Sequence, residues 1–143
     1  MLAQQNLKPN VILVDDHLIF RQGLKAMITM ENIASVVAEA SNGVEFLKLL
    51  PYQKADLVLM DIDMPFMNGL EATRRALKLN PDLKIVALTM FGDKEYNDKI
   101  MELGAKGFIP KSVGFDELEL AIETVLSGQN YFRNTFPVNS TNT

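Results

Sequence analysis

Five side chains in this sequence could together handle a phosphoryl group. Asp15 and Asp16 stand side by side directly after the apolar run Val11–Val14, Asp61 follows Leu57–Met60, Thr89 follows Ile85–Leu88, and Lys111 comes two residues after Gly107–Ile109. Two unit charges 4 Å apart repel by about 1 kcal/mol in water and about 4 kcal/mol at an intermediate dielectric, so three gathered carboxylates need more than one ammonium to balance them. A hard divalent cation supplies the balance. Mg²⁺ prefers carboxylate, carbonyl and water oxygens and often takes a phosphate oxygen as well, whereas Ca²⁺ asks for more protein oxygens than this set offers. With the charge offset, one carboxylate is free to attack phosphorus. Asp61 is the best placed, since it ends a fully apolar segment and precedes the turn-forming DMPFMNG, residues 63–69. Aspartyl phosphate is a known covalent intermediate type, and the cation, the Lys111 ammonium and the Thr89 hydroxyl would share its oxygens.

For those residues to meet, the chain must place several strand ends along one edge. Val11–Val14, Ser35–Ala38, Leu57–Met60, Ile85–Leu88 and Gly107–Ile109 are short apolar runs, mostly uninterrupted, which implies strands covered on both faces and therefore a parallel sheet. Between them lie helical patterns. Leu18, Leu24, Met27 and Ile28 share one face, as do Leu70, Thr73, Ala76 and Leu77, and Phe115, Leu118, Ala121, Ile122 and Val125; weaker helices span Val44–Leu50 and Lys94–Leu103. Asp116 and Glu117 suit the first turn of the last helix and Gly128 its left-handed C-cap. Five strands alternating with five helices give a three-layer, doubly wound α/β domain with right-handed crossovers. Ligands of such folds lie outside the C-terminal strand ends, where Asp15, Asp16, Asp61, Thr89 and Lys111 all fall.

Composition narrows the classes. A length of 143 residues with 48% hydrophobic content fits one domain, expected over residues 10–128, after a lead over 1–9 and before a polar, aperiodic tail or linker over 129–143. The net charge of −4 argues against a nucleic-acid surface. There are no cysteines for disulfides or thiolate metal sites, which agrees with a reducing compartment. The opening MLAQQNLKPN lacks the build of a signal peptide, and no apolar run approaches the roughly 20 residues of a membrane helix. A cytoplasmic location without membrane contact is the expectation.

VDDH, DIDMPFMNG, ALTM and KGFIPKS, in this order, resemble the receiver domain of two-component response regulators, from about Asn10 to Gly128. The stretch DDHLIFRQGLKAMI is similar to the NarL/FixJ-like subfamily, whose receivers precede a LuxR-type helix-turn-helix output domain. The resemblance implies a flavodoxin-like five-stranded sheet of order 2-1-3-4-5, an order the family itself exemplifies. It implies Asp61 as phosphoacceptor, Asp15 and Asp16 as the acidic metal pair, and the Asp63 carbonyl as a further Mg²⁺ ligand. Thr89 and Lys111 would contact the phosphoryl group, and Phe108 would be the aromatic switch. The implied partners are a sensor histidine kinase and, on activation, a second copy of the chain; the protein is a switch, not an enzyme, although it assists its own phosphoryl transfer and autodephosphorylation. DNA would be reached only through an output domain, which this sequence does not contain, so the chain is either part of a longer regulator or a stand-alone receiver. The sequence departs from many receivers at Lys111, which Pro110 precedes and Ser112 follows, and at Phe108, which lacks a tyrosine hydroxyl.

Plainer readings exist for each residue. Asp15 and Asp16 could serve a helix N-cap, Thr89 a strand, Lys111 the surface and Phe108 the core. His17, the sole histidine, neighbours the acids, but Mg²⁺ favours oxygen and the position opens a solvated helix. Met90 and Phe91 are bulky enough to restrict water at an acyl phosphate, and Asn139-Ser140-Thr141 matches a glycosylation acceptor that a cytoplasmic chain would leave unused. The rival enzyme is a haloacid-dehalogenase-like phosphatase through Asp61-Ile62-Asp63, but there the first Asp ends the opening strand, and Pro65 stands where such enzymes carry Thr or Val. A flavin module would need a phosphate loop where Asp15 and Asp16 repel phosphate. A receiver that docks partners without phosphorylation is the remaining alternative.

Overall fold

The computed structural model describes residues 8–90 and 94–132. Phe91, the lead up to residue 7 and the sequon at Asn139 lie outside these residues. Strands β1 (Asn10–Val14), β2 (Ser35–Ala40), β3 (Leu57–Asp61), β4 (Ile85–Thr89), β5 (Gly107–Pro110) and β6 (Tyr131–Phe132) alternate with helices α1 (Leu18–Met30), α2 (Gly43–Leu49), α3 (Gly69–Leu79), α4 (Lys94–Leu103) and α5 (Phe115–Leu126). All pairings are parallel, in the order β2-β1-β3-β4-β5-β6. Every residue of β3, β4 and β5 is buried, which explains their uninterrupted apolar composition.

Side chains leave a strand on alternate faces, so each run divides between two cores. Val11, Leu13, Leu57, Leu59, Val86, Leu88 and Ile109 meet Leu24, Met27 and Ile28 of α1 and Leu118, Ala121, Ile122 and Val125 of α5. On the opposite face Ile12, Val14, Val58, Met60 and Ile85 meet Phe46 of α2 and Ala72 and Ala76 of α3. Caps fix where helices begin: the Asn42 and Asn68 side chains accept from the amides of Glu45 and Glu71 at 2.9 and 3.0 Å. Gly128, at φ +102°, follows α5 and donates its amide to the Val125 carbonyl, as the left-handed cap requires.

The sheet has six strands rather than the five expected. Tyr131 and Phe132 pair with Gly107 and Phe108, and the Tyr131 hydroxyl donates to Glu117 at 2.9 Å. Two residues cannot display a period, so this strand leaves no pattern in the sequence; what makes it is the free edge of β5, which the returning chain covers after α5. β2, on the other edge, is half exposed and runs to Ala40, two residues beyond the apolar run that marks it.

Candidate functional site

The parallel strands end together, and their register brings the distant acids together. β3 lies between β1 and β4, with Val14 opposite Met60 and Asp61 opposite Leu88, while Thr89 is opposite Pro110. Asp15 thus falls beside Asp61, and Lys111 reaches back across the edge. Its amide donates to the Thr89 carbonyl, and its Nζ lies 2.7 Å from Asp15 Oδ2 and 3.3 Å from Asp61 Oδ2. The aliphatic stem lies under protein and the ammonium stands 4.7 Å over the Phe20 ring. No cis peptide occurs among the described residues, so Pro110 enters this loop in trans.

Asp61 is fully buried and Asp15 nearly so, at 2% exposure, while Asp16 is partly open to solvent. Oxygens of Asp15, Asp16 and Asp61 and a ring nitrogen of His17 all lie within 4.8 Å of one another. Asp15 Oδ2 and Asp61 Oδ2 have no hydrogen-bond partner among the described residues; Lys111 faces both as a charge without hydrogen-bond geometry. Burial, reinforced by the Asp15 charge, pushes the Asp61 carboxyl up to about 7, against the pull of Lys111 and of the Asp63 amide that donates to Asp61 Oδ1 at 3.1 Å. Two inward, unbonded carboxylate oxygens and an under-neutralised acid are what an oxygen-seeking dication would correct, so the donor set fits Mg²⁺. Asp63 contributes differently. Its carboxylate is exposed and accepts from the Thr89 hydroxyl at 3.3 Å, outside the cluster of the other three.

The N-cap of α1 is His17, whose side chain makes no capping bond, and Asp15 Oδ1 instead accepts the His17 amide at 2.8 Å; a helix cap therefore does not account for the acidic pair. Thr89 and Phe108 are wholly buried, Phe108 in a third cluster with Ile62, Ala87, Ile100 and Ala105. Met90 is exposed. Asp61 ends the third strand, which also separates it from the phosphatase arrangement.

Two positions of the site gave no signal in the sequence. Gly69 opens α3 directly against the acceptor strand, where an added Cβ would lie 2.3 Å from the Asp61 carbonyl oxygen, so only glycine lets the loop from residue 62 close this tightly. Arg21 donates to the Asp15 carbonyl and is itself held by Glu39 at 2.9 Å. Glycine before a helix is common, and an arginine on an amphipathic face reads as solvated, so neither stands out.

Residues 11–123 match the response regulator receiver domain, and the chain belongs to that family. Among relatives, it is 40% identical over 121 residues to the response regulator GacA of Pseudomonas aeruginosa, covering 85% of this chain and 56% of that protein. It is 36% identical over 124 residues to the transcriptional regulatory protein DegU of Brevibacillus brevis, covering 87% and 52%. The crystal structure of a LuxR-family two-component response regulator from Aurantimonas sp. SI85-9A1 superposes with a TM-score of 0.83 at 35% identity, covering 87% of this chain and 89% of that one. The fold is the flavodoxin-like receiver fold, and the kinship places the chain with NarL-like receivers. It spans about half the length of the curated relatives it matches. No helix among the described residues is long and apolar enough to cross a membrane.

Proposed function

We propose that this chain is a phosphorylation-driven switch in which Asp61 takes a phosphoryl group from the phosphohistidine of a sensor histidine kinase. The observation that carries the reading is the fully buried Asp61 carboxylate with an unbonded Oδ2 facing Lys111 Nζ at 3.3 Å, beside a second buried acid. An Asp61 oxygen attacks phosphorus in line, the P–N bond breaks, and the kinase imidazole leaves with the electron pair. Asp15, Asp16, Asp61 and the Asp63 carbonyl would hold Mg²⁺, whose contribution when bound is to neutralise the acids and the transferring phosphoryl oxygens. Lys111 shares that charge and orients Asp61.

The state would leave the site through Thr89 and Phe108. A phosphoryl oxygen draws the Thr89 hydroxyl from Asp63, space opens beside β4, and Phe108, in register with Ala87 next to it, repacks into that space. The remodelled face of α4, β5 and α5 then favours a second copy of the chain or releases an output domain that acts on transcription, in keeping with the name of the transcriptional regulatory protein DegU. A full reversal of populations from 1:99 to 99:1 requires about 5.5 kcal/mol of difference between the states. The location that suits such a kinase partner is the cytoplasm. Incubation with a small phosphodonor and Mg²⁺, followed by intact-mass measurement, tests the first step: the wild type gains one phosphoryl mass and Asp61→Asn does not. Equal labelling of both removes Asp61 from its role, and sedimentation unaltered by phosphorylation would favour the docking receiver.

A further inference from the structure

We propose that His17 supplies an imidazole nitrogen to the cation in this cleft, making it a mixed nitrogen and oxygen site that favours a borderline dication such as Co²⁺ over Mg²⁺ more than an all-oxygen site would. The proposal rests on the metal reading of the acidic cluster and adds a ligand to it. His17 Nδ1 does not point to solvent with the rest of the ring. It lies 3.3 Å from Asp15 Oδ1, 3.5 Å from Asp16 Oδ1 and 3.9 Å from Asp61 Oδ2.

The neighbouring ammonium fixes which face of the imidazole is inward. Lys111 Nζ stands 3.2 Å from the same Nδ1 and has only protons to offer, so the contact is attractive only when Nδ1 presents its lone pair and Nε2 carries the hydrogen. In that tautomer Nδ1 has no proton to share with the carboxylates around it. Lone pairs from nitrogen and two or three oxygens then converge around one ammonium, and its single charge, divided between Nδ1, Asp15 Oδ2 and Asp61 Oδ2, does not offset all of them. The spacing suits a dication: ligands about 2.1 Å from an octahedral ion sit about 3 Å apart when cis and about 4.2 Å apart when trans. The inward, unbonded Oδ2 atoms of the buried Asp15 and Asp61 are a separate sign that the cleft is built for a ligand the protein does not itself provide.

Ligand type then decides selectivity. Oxygen-only sites suit Mg²⁺, whereas an imidazole gains more from the later first-row dications, following their usual affinity order. The His17 side chain makes no capping bond and is half exposed, so replacing it costs the fold little.

His17 is the only histidine in the chain, which makes the test direct. Pulsed electron paramagnetic resonance of the Mn²⁺-loaded protein should show imidazole nitrogen couplings in the wild type and none in His17→Ala. Titration with Co²⁺ and Mg²⁺ in parallel should show the Co²⁺ affinity of His17→Ala falling about tenfold further than its Mg²⁺ affinity. Mn²⁺ bound without nitrogen couplings, or a Co²⁺ to Mg²⁺ affinity ratio unchanged by His17→Ala, overturns the proposal while leaving the acidic metal site intact. Failure of the wild type to bind either ion overturns both the proposal and the metal reading beneath it.

Discussion

Gly69→Ala should destabilise this protein where the same change usually helps a helix. An alanine methyl at the first residue of α3 would lie 2.3 Å from the Asp61 carbonyl oxygen, 2.7 Å from Ile62 Cα and 3.0 Å from the Asp61 carbonyl carbon. Ordinary carbon–oxygen contact is about 3.3–3.6 Å, so backbone must move by about 1 Å. No side chain can rotate away, because all three atoms belong to the main chain. Overpacking of this kind costs about 1–3 kcal/mol, and the unyielding neighbour puts the cost at the upper end. The helix-propensity gain of alanine over glycine returns about 0.5–1 kcal/mol, leaving a net loss of about 2 kcal/mol. For a domain of this size Tm should fall by roughly 8 °C. Gly23→Ala is the matched control. Within α1 its methyl would meet only Phe115 Cζ, at an ordinary 3.7 Å, so the propensity gain is uncompensated and the variant should be about 0.5–1 kcal/mol more stable. Urea and thermal unfolding of both variants check the pair. The close-approach reasoning is refuted if Gly69→Ala unfolds within 0.5 kcal/mol of wild type, because Asp61 would then not be held by the start of α3.

Other outcomes follow from the same geometry. The folded protein keeps a proton on Asp61 up to about pH 7 that the unfolded chain loses near the ordinary 3.8, so stability present below pH 4 is lost as pH rises through 7. Asp61→Asn should remove that slope and raise the urea midpoint at pH 8, and added Mg²⁺ should stabilise the wild type more at pH 8 than at pH 6. A midpoint independent of pH across this window would contradict the burial of a strained carboxylate. Phe108→Ala empties a fully buried site between Ala87, Ile100 and Ile62, with an expected loss of about 3–5 kcal/mol by urea unfolding. Tyr131→Phe removes only the hydroxyl bonded to Glu117 and should cost about 1 kcal/mol, showing that β6 is part of the domain.

How much of this was legible depends on whether a feature is set by a pattern or by a meeting of surfaces. The strands β1, β3, β4 and β5 are buried on both faces, and that burial is written as continuous apolar composition, so their existence and their parallel pairing could be read directly. The acids and the lysine could be read as well, because in a parallel sheet each strand's last residues must share one edge. β6 could not, since a two-residue strand owes its form to the edge it covers. Gly69 needed the approach of two backbones, which spacing does not record. In the sequence His17 stands only as the opening of a solvated helix, which is true of the residue as a whole; the inward direction of Nδ1 depends on one side-chain rotation and on the place Lys111 takes beside it.

The economy of the cleft explains why a stable fold tolerates it. Lys111 is shared between two buried carboxylates and satisfies neither with a full hydrogen bond, so Asp61 remains short of positive charge. Removing Lys111 would leave those acids uncompensated, whereas completing the neutralisation by protein groups alone would leave no attraction for an incoming cation or phosphoryl oxygen. The large double-sided core supplies the stability that lets the edge stay incomplete, and that incompleteness is the source of any binding energy the site can convert into a change of state. A variant that satisfied the edge internally should therefore be more stable and less responsive, with the two effects arising from the same unbonded oxygens.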